Sequence, residues 1–369
     1  MKVLRIALVA ASLLLVVRCA HVEPPSGGPE DRLAPQLLIS RPDSFAVVPD
    51  WSSPVTLVFD ERVSEQEIEQ SIRVSPLTSP IVVDHSGDEV RVSLREGWEP
   101  GIIYHVRVVP GVMRDLFGNE RTDPLTLVFS TGPEIPATRI SGTVSDRITG
   151  APVPDARVEA VRTADSLVYA VSPDSAGAFV LAYVPEGDYI VRAYLDQDLD
   201  LALDEYEPRD TAYAIVGVVE TPTLDLAIVQ PDSTAPVLAS AAVVGEAIEL
   251  KFDDYLDPDQ PISTDAVSVR NGAGLAIEIA SVGIGSLRDA ARPEVSDTIA
   301  PPPPLPSRIL SVQLADTTAL VPGETYSVTV QGILNLVGLA GGGEAEFEAP
   351  EPPALPTDSL TADTTAIAR

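Results

Sequence analysis

Five carboxylates recur at regular spacing within residues 196–207. They are Asp196, Asp198, Asp200, Asp204 and Glu207. Counted from the first, they occupy positions one, three, five, nine and twelve, the spacing with which oxygen ligands wrap a calcium ion. Leu201 stands at position six, where a helix-loop-helix calcium site needs glycine, and residues 189–195 alternate like a strand. The pattern therefore predicts a calcium loop between strands, with a dissociation constant of about 10⁻⁴ to 10⁻³ M. The alternative is that a solvated loop of a very acidic chain gathers carboxylates by chance.

The single cysteine, Cys19, follows a segment with the features of an export signal. Residues 1–18 combine basic residues with an apolar run over residues 6–17 that is too short to span a bilayer. An unpaired thiol in an exported chain needs an explanation. The segment Val16-Val17-Arg18-Cys19-Ala20 resembles a lipobox, in which the cysteine is lipidated, although Arg18 stands where a small residue is usual. The alternatives are an ordinary signal peptide followed by a chance cysteine and an uncleaved membrane anchor.

The remaining residues do not assemble the machinery of an enzyme. Of the three histidines, His21 follows the export signal, His85 lies near a predicted hairpin turn, and His105 is predicted to point outward from a strand. They predict neither a zinc site nor a histidine-based triad. The run Gly341–Gly343 is predicted to form a turn, and no Lys-Ser or Lys-Thr follows it as a phosphate-binding loop requires. We therefore expect a protein without catalytic activity.

Two further groups of residues are candidates for binding. Trp51 and Trp98 could form a platform on which sugar rings stack, but isolated aromatic residues in β domains more often pack in a core or at an edge. A second acidic cluster lies at residues 253–259 and has no ligand register, so it is predicted to be a solvated loop.

The charge of the chain excludes one class of partner. The 369 residues include 24 basic and 55 acidic side chains, for a formal net charge of -31. Binding of nucleic acid depends on basic side chains that neutralise phosphates, and no basic face is available. We expect no nucleic-acid partner.

Short alternating runs of apolar residues predict an all-β chain of tandem β-sandwiches. Segments such as Val55–Phe59 and Glu89–Leu94 place apolar side chains at every second position, and clusters of Pro, Gly, Asp and Ser separate them. Residues 19–33 are rich in Pro and Gly and are predicted to be a tether. The Pro-rich insertion 288–307 is predicted to be a loop, and the tail 350–369 to be disordered.

Three landmarks occur twice, in the same order, and reveal an internal repeat. Residues 57–61, 99–104 and 115–119 return as residues 250–254, 321–326 and 335–339. The first copy also ends in Phe129-Ser130-Thr131. The Phe-Asp strand end, the Pro-Gly-x-x-Tyr strand start and the Asp-x-x-Gly-Asn turn resemble those of the bacterial Ig-like domain first defined in S-layer proteins. The resemblance implies an Ig-like domain at 34–133 and a degenerate copy at 234–349, in which Leu339 replaces Asn119.

A different unit, 137–230, lies between the copies. Its motifs Ile140-Ser141-Gly142-Thr143-Val144 and Val184-Pro185-Glu186-Gly187-Asp188-Tyr189 are similar to those of the carboxypeptidase regulatory-like domain. That resemblance implies a transthyretin-like sandwich and no peptidase activity. The residues predicted to point inward are Val144, Val158, Phe179, Tyr189 and Val191.

The order of export signal, lipid cysteine, tether and three sandwiches resembles a lipoprotein type common in Bacteroidetes-like bacteria. It implies an outer-membrane lipoprotein of the cell envelope, facing the periplasm or the cell surface. The expected role is a non-enzymatic scaffold, adhesion or assembly module, held to the membrane by its lipid and contacting other envelope proteins or glycans. The alternative is a glycan-binding accessory protein of a polysaccharide-uptake system. No cofactor is required in either role, and calcium is the one candidate ion.

Overall fold

The computed structural model of the chain describes residues 30–286 and 305–351. The predictions for the export signal, for Cys19 and for most of the tether, insertion and tail fall outside these residues. Across the described part, strands form nearly all of the regular structure, and two short 3-10 helices cover Thr264–Ala266 and Thr317–Ala319. The predicted all-β fold class is confirmed. The chain divides into two compact units, Met1–Glu134 and Ile135–Arg369.

The first unit contains one sandwich of two antiparallel sheets, with strand orders β1-β2-β5-β4 and β3-β6-β7. Its strands are β1 Leu37–Arg41, β2 Val55–Phe59, β3 Ile72–Ser75, β4 Ile81–Ser86, β5 Glu89–Leu94, β6 Ile103–Val108 and β7 Leu125–Ser130. Alternate residues of β2 and β5 are buried, as the period of two requires of a sheet with one face in a core. The rings of Trp98, Tyr104 and Phe129 pack together in that core, with centroids 4.9–5.5 Å apart.

The repeated Pro-Gly-x-x-Tyr landmark has a structural explanation. In the first copy the Tyr104 hydroxyl accepts a hydrogen bond from the backbone N–H of Glu99 at 2.9 Å. In the second copy the Tyr326 hydroxyl accepts one from Val321 at 2.8 Å. The tyrosine ring is buried in both copies, so its hydroxyl satisfies a backbone donor at the strand start that would otherwise lack a partner.

The second unit begins with a sandwich whose sheets have the orders β10-β9-β12-β13 and β11-β8-β14. Its strands are β8 Arg139–Asp146, β9 Arg157–Arg162, β10 Val168–Val171, β11 Ala178–Ala182, β12 Gly187–Tyr194, β13 Arg209–Val216 and β14 Thr223–Ile228. All five residues predicted to point inward lie in its core. Strand β14 pairs with β8 in parallel, and Gly142 faces Leu224 there. A Cβ atom on Gly142 would lie 1.9 Å from the Leu224 carbonyl oxygen, so this position requires glycine.

A second core follows in the same unit, between sheets of order β15-β16-β20-β19 and β18-β17-β21-β22. The strands are β15 Leu238–Val244, β16 Ala247–Leu256, β17 Val267–Asn271, β18 Ala276–Ile277, β19 Ile279–Ile284, β20 Ser307–Leu314, β21 Thr325–Leu334 and β22 Ala340–Glu348. This is the region of the second repeat, and we refer to it as the third sandwich.

The prediction of a turn at Gly341–Gly343 is wrong, because these glycines lie inside β22. A Cβ atom on Gly341 would lie 2.0 Å from the carbonyl oxygen of Pro236, and one on Gly342 would lie 2.1 Å from that of Val330. The Gly342 N–H also donates to the Pro236 carbonyl at 2.9 Å. The glycines therefore serve close backbone packing, which the turn propensity of glycine alone did not indicate.

Candidate metal centres

The five predicted calcium ligands lie on the connection between β12 and β13. These two strands are antiparallel neighbours and pair Tyr194 with Arg209 at the end nearest the loop. The N–H of Leu195 then donates to the carbonyl of Pro208 at 3.0 Å, which closes the loop at its base. The prediction that this loop joins two strands agrees with the structure.

The structure brings the five carboxylates together in two overlapping groups. Asp196, Asp198 and Glu207 have ligand oxygens within 4.8 Å of one another, and so do Asp198, Asp200 and Asp204. Glu207 is fully buried, whereas Asp198 and Asp200 are exposed. Asp198 belongs to both groups, so a cation beside it could draw oxygens from either side of the loop.

Backbone hydrogen bonds hold the buried end of the loop in place. One oxygen of Glu207 accepts from the N–H of Gln197 at 2.7 Å and the other accepts from the N–H of Asp204 at 3.0 Å. Asp196 Oδ2 accepts from the N–H of Leu201 at 2.9 Å. Asp196 Oδ1 is buried and has no hydrogen-bond partner among the described residues. Burial without a partner is costly for a carboxylate oxygen, and a cation would remove that cost.

Leu201 adopts the conformation that the sixth loop position demands, although it is not glycine. Its φ is +66°, and that of Leu199 is +62°. Each left-handed residue of this kind costs roughly 1–2 kcal/mol. The missing glycine therefore does not prevent the turn, but it makes the turn less favourable.

A buried network ties the loop to the sheet below it. The Tyr194 hydroxyl lies 3.0 Å from Glu159 Oε1 and 3.2 Å from the carbonyl oxygen of Leu201. Burial favours the neutral form of Glu159, but hydrogen bonds and charge from Arg157 and then Arg192 outweigh it, and the pKa of Glu159 is lowered. Glu159 thus stays ionised and accepts from Tyr194, which positions the middle of the loop.

A further carboxylate group, missed in the sequence, lies in the first sandwich. Ligand oxygens of Asp31, Glu61 and Asp115 are within 4.8 Å of one another. Burial, followed by the charges of Asp115 and Asp31, raises the pKa of Glu61. For Asp115 burial also acts to raise the pKa, but hydrogen bonds from Asn119 and from backbone N–H groups outweigh it, so its pKa is lowered. The landmarks at 57–61 and 115–119 contain two of these residues, but nothing in the pattern indicated that they meet.

At the corresponding turn of the third sandwich, an asparagine, Asn335, stands where the Ig-like domain has Asp115. Asp115 Oδ1 accepts from the N–H groups of Phe117 and Asn119, and in the second copy the Asn335 side-chain oxygen accepts from the equivalent groups of Val337 and Leu339. The Asn335 amide nitrogen donates to Asp254 Oδ2 and to the carbonyl of Thr234, both at 3.0 Å, and to Asp232 Oδ2 at 3.4 Å. Asn335 therefore stands where the first copy has the carboxylate of Asp115, and it places a hydrogen-bond donor there.

The same contacts explain why Leu339 can stand where the first copy has Asn119. The Asn119 amide donates to Asp115 Oδ2 at 2.7 Å and so compensates part of its charge. Asn335 carries no charge and brings its own donor, so no amide is needed four residues later. The departure from the repeat pattern is a paired change of two residues.

The prediction of a solvated loop agrees with only part of the second acidic cluster, because Asp257 and Asp259 lie in the turn after β16, where the Asp259 side chain is 67% exposed. Asp253 and Asp254 lie in β16, where Asp253 accepts from the N–H of Val237 at 2.7 Å. Arg147, from the preceding sandwich of the same unit, lies 2.8 Å from an oxygen of Asp259 and 3.7 Å from one of Asp257. The cluster thus combines two strand residues with a turn whose carboxylates contact the preceding sandwich.

The histidine and tryptophan predictions had mixed outcomes. His105 was predicted to point outward but is 1% exposed, because both faces of β6 are covered at this position. Trp98 is also buried, and its Nε1–H donates to the Ser53 carbonyl at 3.1 Å, so it cannot form a sugar platform with Trp51. In the described part of the chain, none of the residue groups able to hold a metal contains histidine.

Residues 31–131 match the family model of the bacterial Ig-like domain. Residues 139–227 match that of the carboxypeptidase regulatory-like domain. The resemblance inferred from the sequence motifs is thus confirmed for the Ig-like domain and for the regulatory-like domain, and neither match extends into the third sandwich. No curated protein matches the chain significantly.

The solved structures that match the chain include an S-layer protein, a TIE protein and a pilin subunit. The N-terminal part of the bacterial S-layer protein SbsC is 22% identical over 32% of this chain and 24% of its own, with a TM-score of 0.23. The Bacillus anthracis TIE protein is 11% identical over 89% of this chain and 57% of its own, with a TM-score of 0.20. The major pilin subunit BcpA* of Bacillus cereus is 9% identical over 53% of this chain and 70% of its own, with a TM-score of 0.19. This chain thus spans less than two thirds of the first two, and likenesses of this size carry no argument about its role.

Residues 30–286 and 305–351 contain no helix of the length and apolar character needed to cross a membrane.

Proposed function

We propose that the chain is a non-enzymatic lipoprotein of the cell envelope whose sandwiches act as a scaffold, adhesion or assembly module. The observation that carries this proposal is the pairing of an Ig-like domain and a regulatory-like domain in one chain, behind the lipobox-like segment at Cys19. A lipid on Cys19 would hold the tandem sandwiches at the outer membrane, facing the periplasm or the cell surface. The partners would be other envelope proteins or glycans.

The side chains of the described residues support a binding role over a catalytic one. Burial, followed by the nearby charge of Glu159, raises the pKa of Tyr194, while Arg157 and Arg192 lower that of Glu159 against the effect of burial. The Tyr194 hydroxyl donates to Glu159 at 3.0 Å, so both side chains take part in holding the sheet and its loop together. The glycan-binding alternative has less support, since Trp98 belongs to the core of the Ig-like domain. Exposed loops and strand edges remain the surfaces through which a scaffold could contact its partners.

The anchor is tested by mass spectrometry of the mature N-terminus combined with membrane fractionation. Wild type should carry an acylated Cys19 and fractionate with the outer membrane, whereas Cys19→Ser should be unacylated and leave that fraction. A wild-type product cut elsewhere and found in the soluble fraction would contradict the lipoprotein proposal.

We also propose that the loop at residues 196–207 binds calcium and thereby stiffens the regulatory-like domain. The support is the grouping of Asp196, Asp198, Asp200, Asp204 and Glu207 together with the unpartnered oxygen of Asp196. Calorimetric titration should give a dissociation constant of about 10⁻⁴ to 10⁻³ M. Asp198→Asn should weaken binding about tenfold or more, because Asp198 belongs to both groups.

The matched control is Asp155→Asn, which removes another exposed carboxylate of the same domain that lies outside both groups. This variant should bind calcium like the wild type. If both substitutions weakened calcium binding equally, binding would depend only on the net charge of the protein, and the proposed site would be rejected.

A further inference from the structure

Three large apolar side chains are exposed at the end of the Ig-like domain where the chain enters it. Leu33 is 76% exposed, Leu116 is 61% exposed and Phe117 is 77% exposed. We call this group the tether end. Exposed apolar residues that stand together often mark a contact surface, whereas single ones do not.

Hydrogen bonds place the entering segment beside the turn that carries Leu116 and Phe117. The Asn119 amide lies 3.3 Å from the Asp31 carbonyl oxygen, and the Arg121 guanidinium donates to the Pro35 carbonyl at 2.9 Å. Leu33 lies between these two contacts in the sequence. The three apolar residues therefore belong to one end of the sandwich.

The third sandwich shows how the equivalent end is used elsewhere in the chain. Leu336 and Val337 replace Leu116 and Phe117 in the repeat, and both are partly buried. Their turn adjoins Leu256 through a bridge with Asn335, and Asp257 and Asp259 just beyond it contact Arg147 of the regulatory-like domain. This end of the third sandwich thus faces the regulatory-like domain, whereas the apolar residues at the same end of the Ig-like domain are exposed.

The distance to Cys19 decides what can cover the tether end. Ten residues separate Cys19 from Glu30, and an extended chain spans at most about 3.3–3.6 Å per residue. A lipid on Cys19 would therefore keep this end within roughly 40 Å of the bilayer, at a high effective concentration. Glu30 is paired with Arg32 at 2.8 Å, but the carboxylates of Asp31, Glu61 and Asp115 are grouped nearby and would be repelled by anionic headgroups. A zwitterionic lipid surface is therefore the better match.

We propose that the tether end, formed by Leu33, Leu116 and Phe117, rests on the zwitterionic lipid surface to which the chain is anchored. The proposal rests on the membrane anchor proposed above. Apolar side chains at the ends of loops partition into the interface of a bilayer, and an anchor makes even weak partitioning effective. The Ig-like domain would then lie against the membrane at this end.

The test uses the chain from Cys19 onward, coupled through its thiol to maleimide-bearing lipid in phosphatidylcholine vesicles. This coupling makes the test independent of whether cells acylate Cys19, which the mass spectrometry above decides. The variants are Phe117→Trp and, as control, Leu77→Trp. Leu77 is 54% exposed and follows β3 at the opposite end of the sandwich.

Brominated lipid quenches tryptophan only at bilayer depth, so it reports which end touches the membrane. The emission added by Phe117→Trp should fall at least twofold in brominated vesicles, while that added by Leu77→Trp and by the two native tryptophans should be kept. Equal emission from both variants in brominated and ordinary vesicles would overturn the proposal. So would a blue-shifted, unquenched Phe117→Trp, because that result would mean that a second copy of the chain covers the tether end.

Discussion

Asn119→Leu should destabilise the Ig-like domain, and Asp115→Asn should rescue it. The two substitutions together reproduce the pair found in the third sandwich, Asn335 with Leu339. Alone, Asn119→Leu removes the donor that lies 2.7 Å from Asp115 Oδ2 and leaves a carboxylate that is 2% exposed without its side-chain partner. In the background of the Asp115→Asn substitution that carboxylate is absent, so the loss should matter little.

The structure sets the size of the expected effect. A hydrogen bond to a charged group contributes about 1.5–3 kcal/mol, and two unit charges 4.8 Å apart, the upper limit between Asp115 and Glu61 oxygens, repel by about 1 kcal/mol in water. We expect Asn119→Leu to lower the free energy of unfolding by about 2 kcal/mol in the wild-type background. It should cost less than about 0.5 kcal/mol beside Asp115→Asn, which gives a coupling energy of about 1.5 kcal/mol.

The assay follows from the position of the tryptophans. Trp51 and Trp98 are the only two in the chain, and both lie in the first unit. Urea unfolding followed by tryptophan fluorescence therefore reports the Ig-like domain within the full-length protein. Circular dichroism of the same samples, which follows all three sandwiches, serves as the control for effects elsewhere.

The pH dependence gives a second check. The pKa of Asp115 lies below its ordinary value of 3.8, so its charged form contributes stability above that pH and the contribution is lost as the pH falls through the folded pKa. Asn119→Leu weakens this contribution, so its cost should be greatest near pH 7 and shrink below about pH 4. An equal cost of Asn119→Leu in both backgrounds, or a cost that is independent of pH, would refute the reasoning.

Three other substitutions test separate parts of the structure. Gly142→Ala should lower the free energy of unfolding by about 3 kcal/mol or more, because its Cβ overlaps a carbonyl oxygen of β14. The midpoint of thermal unfolding, followed by circular dichroism, should fall accordingly. Gly283→Ala, whose Cβ meets no atom within 4 Å, should leave the midpoint nearly unchanged, and similar midpoints for the two variants would contradict this explanation. Glu207→Gln removes the charge and one of the two backbone hydrogen bonds that Glu207 accepts, so it should abolish calcium binding in calorimetry. The circular dichroism spectrum, which the strands dominate, should be kept, and an unchanged affinity would remove Glu207 from the site. Tyr194→Phe should lower the free energy of unfolding in urea by about 1 kcal/mol, because it removes the hydrogen bond to Glu159. An unchanged free energy of unfolding would show that this network does not stabilise the domain.

Strand positions could be predicted from the sequence because alternation is a local signal. The prediction for Glu89–Leu94 agrees with the structure at both ends, and the inward positions of the regulatory-like domain are all buried. His105 shows the limit of that signal. Period two distinguishes the faces of a strand, but it does not tell whether the outer face is covered by other parts of the chain.

The candidate metal sites also differ in how far the sequence could reveal them. The five ligands of the loop at 196–207 lie within twelve residues, so their spacing was visible in the sequence. Asp31, Glu61 and Asp115 come from three separate segments and meet only through the packing of the sandwich, which residue types do not encode. The role of Asn335 was hidden for the same reason, since its three acceptors are 81 to 103 residues away in sequence.

The glycine run of β22 links the start and the finish of the third sandwich. Val237 pairs with Gly342, and the Pro236 carbonyl accepts from the Gly342 N–H, so the first segment of this sandwich lies directly on its last strand. Until residue 342 has been synthesised and has emerged from any export channel, the segment at Pro236 has no strand to dock against. The fold of this sandwich therefore cannot be completed before the chain as far as β22 is present. A chain terminated within β22 would display an open core that proteases could recognise, while both preceding sandwiches would already contain all of their strands.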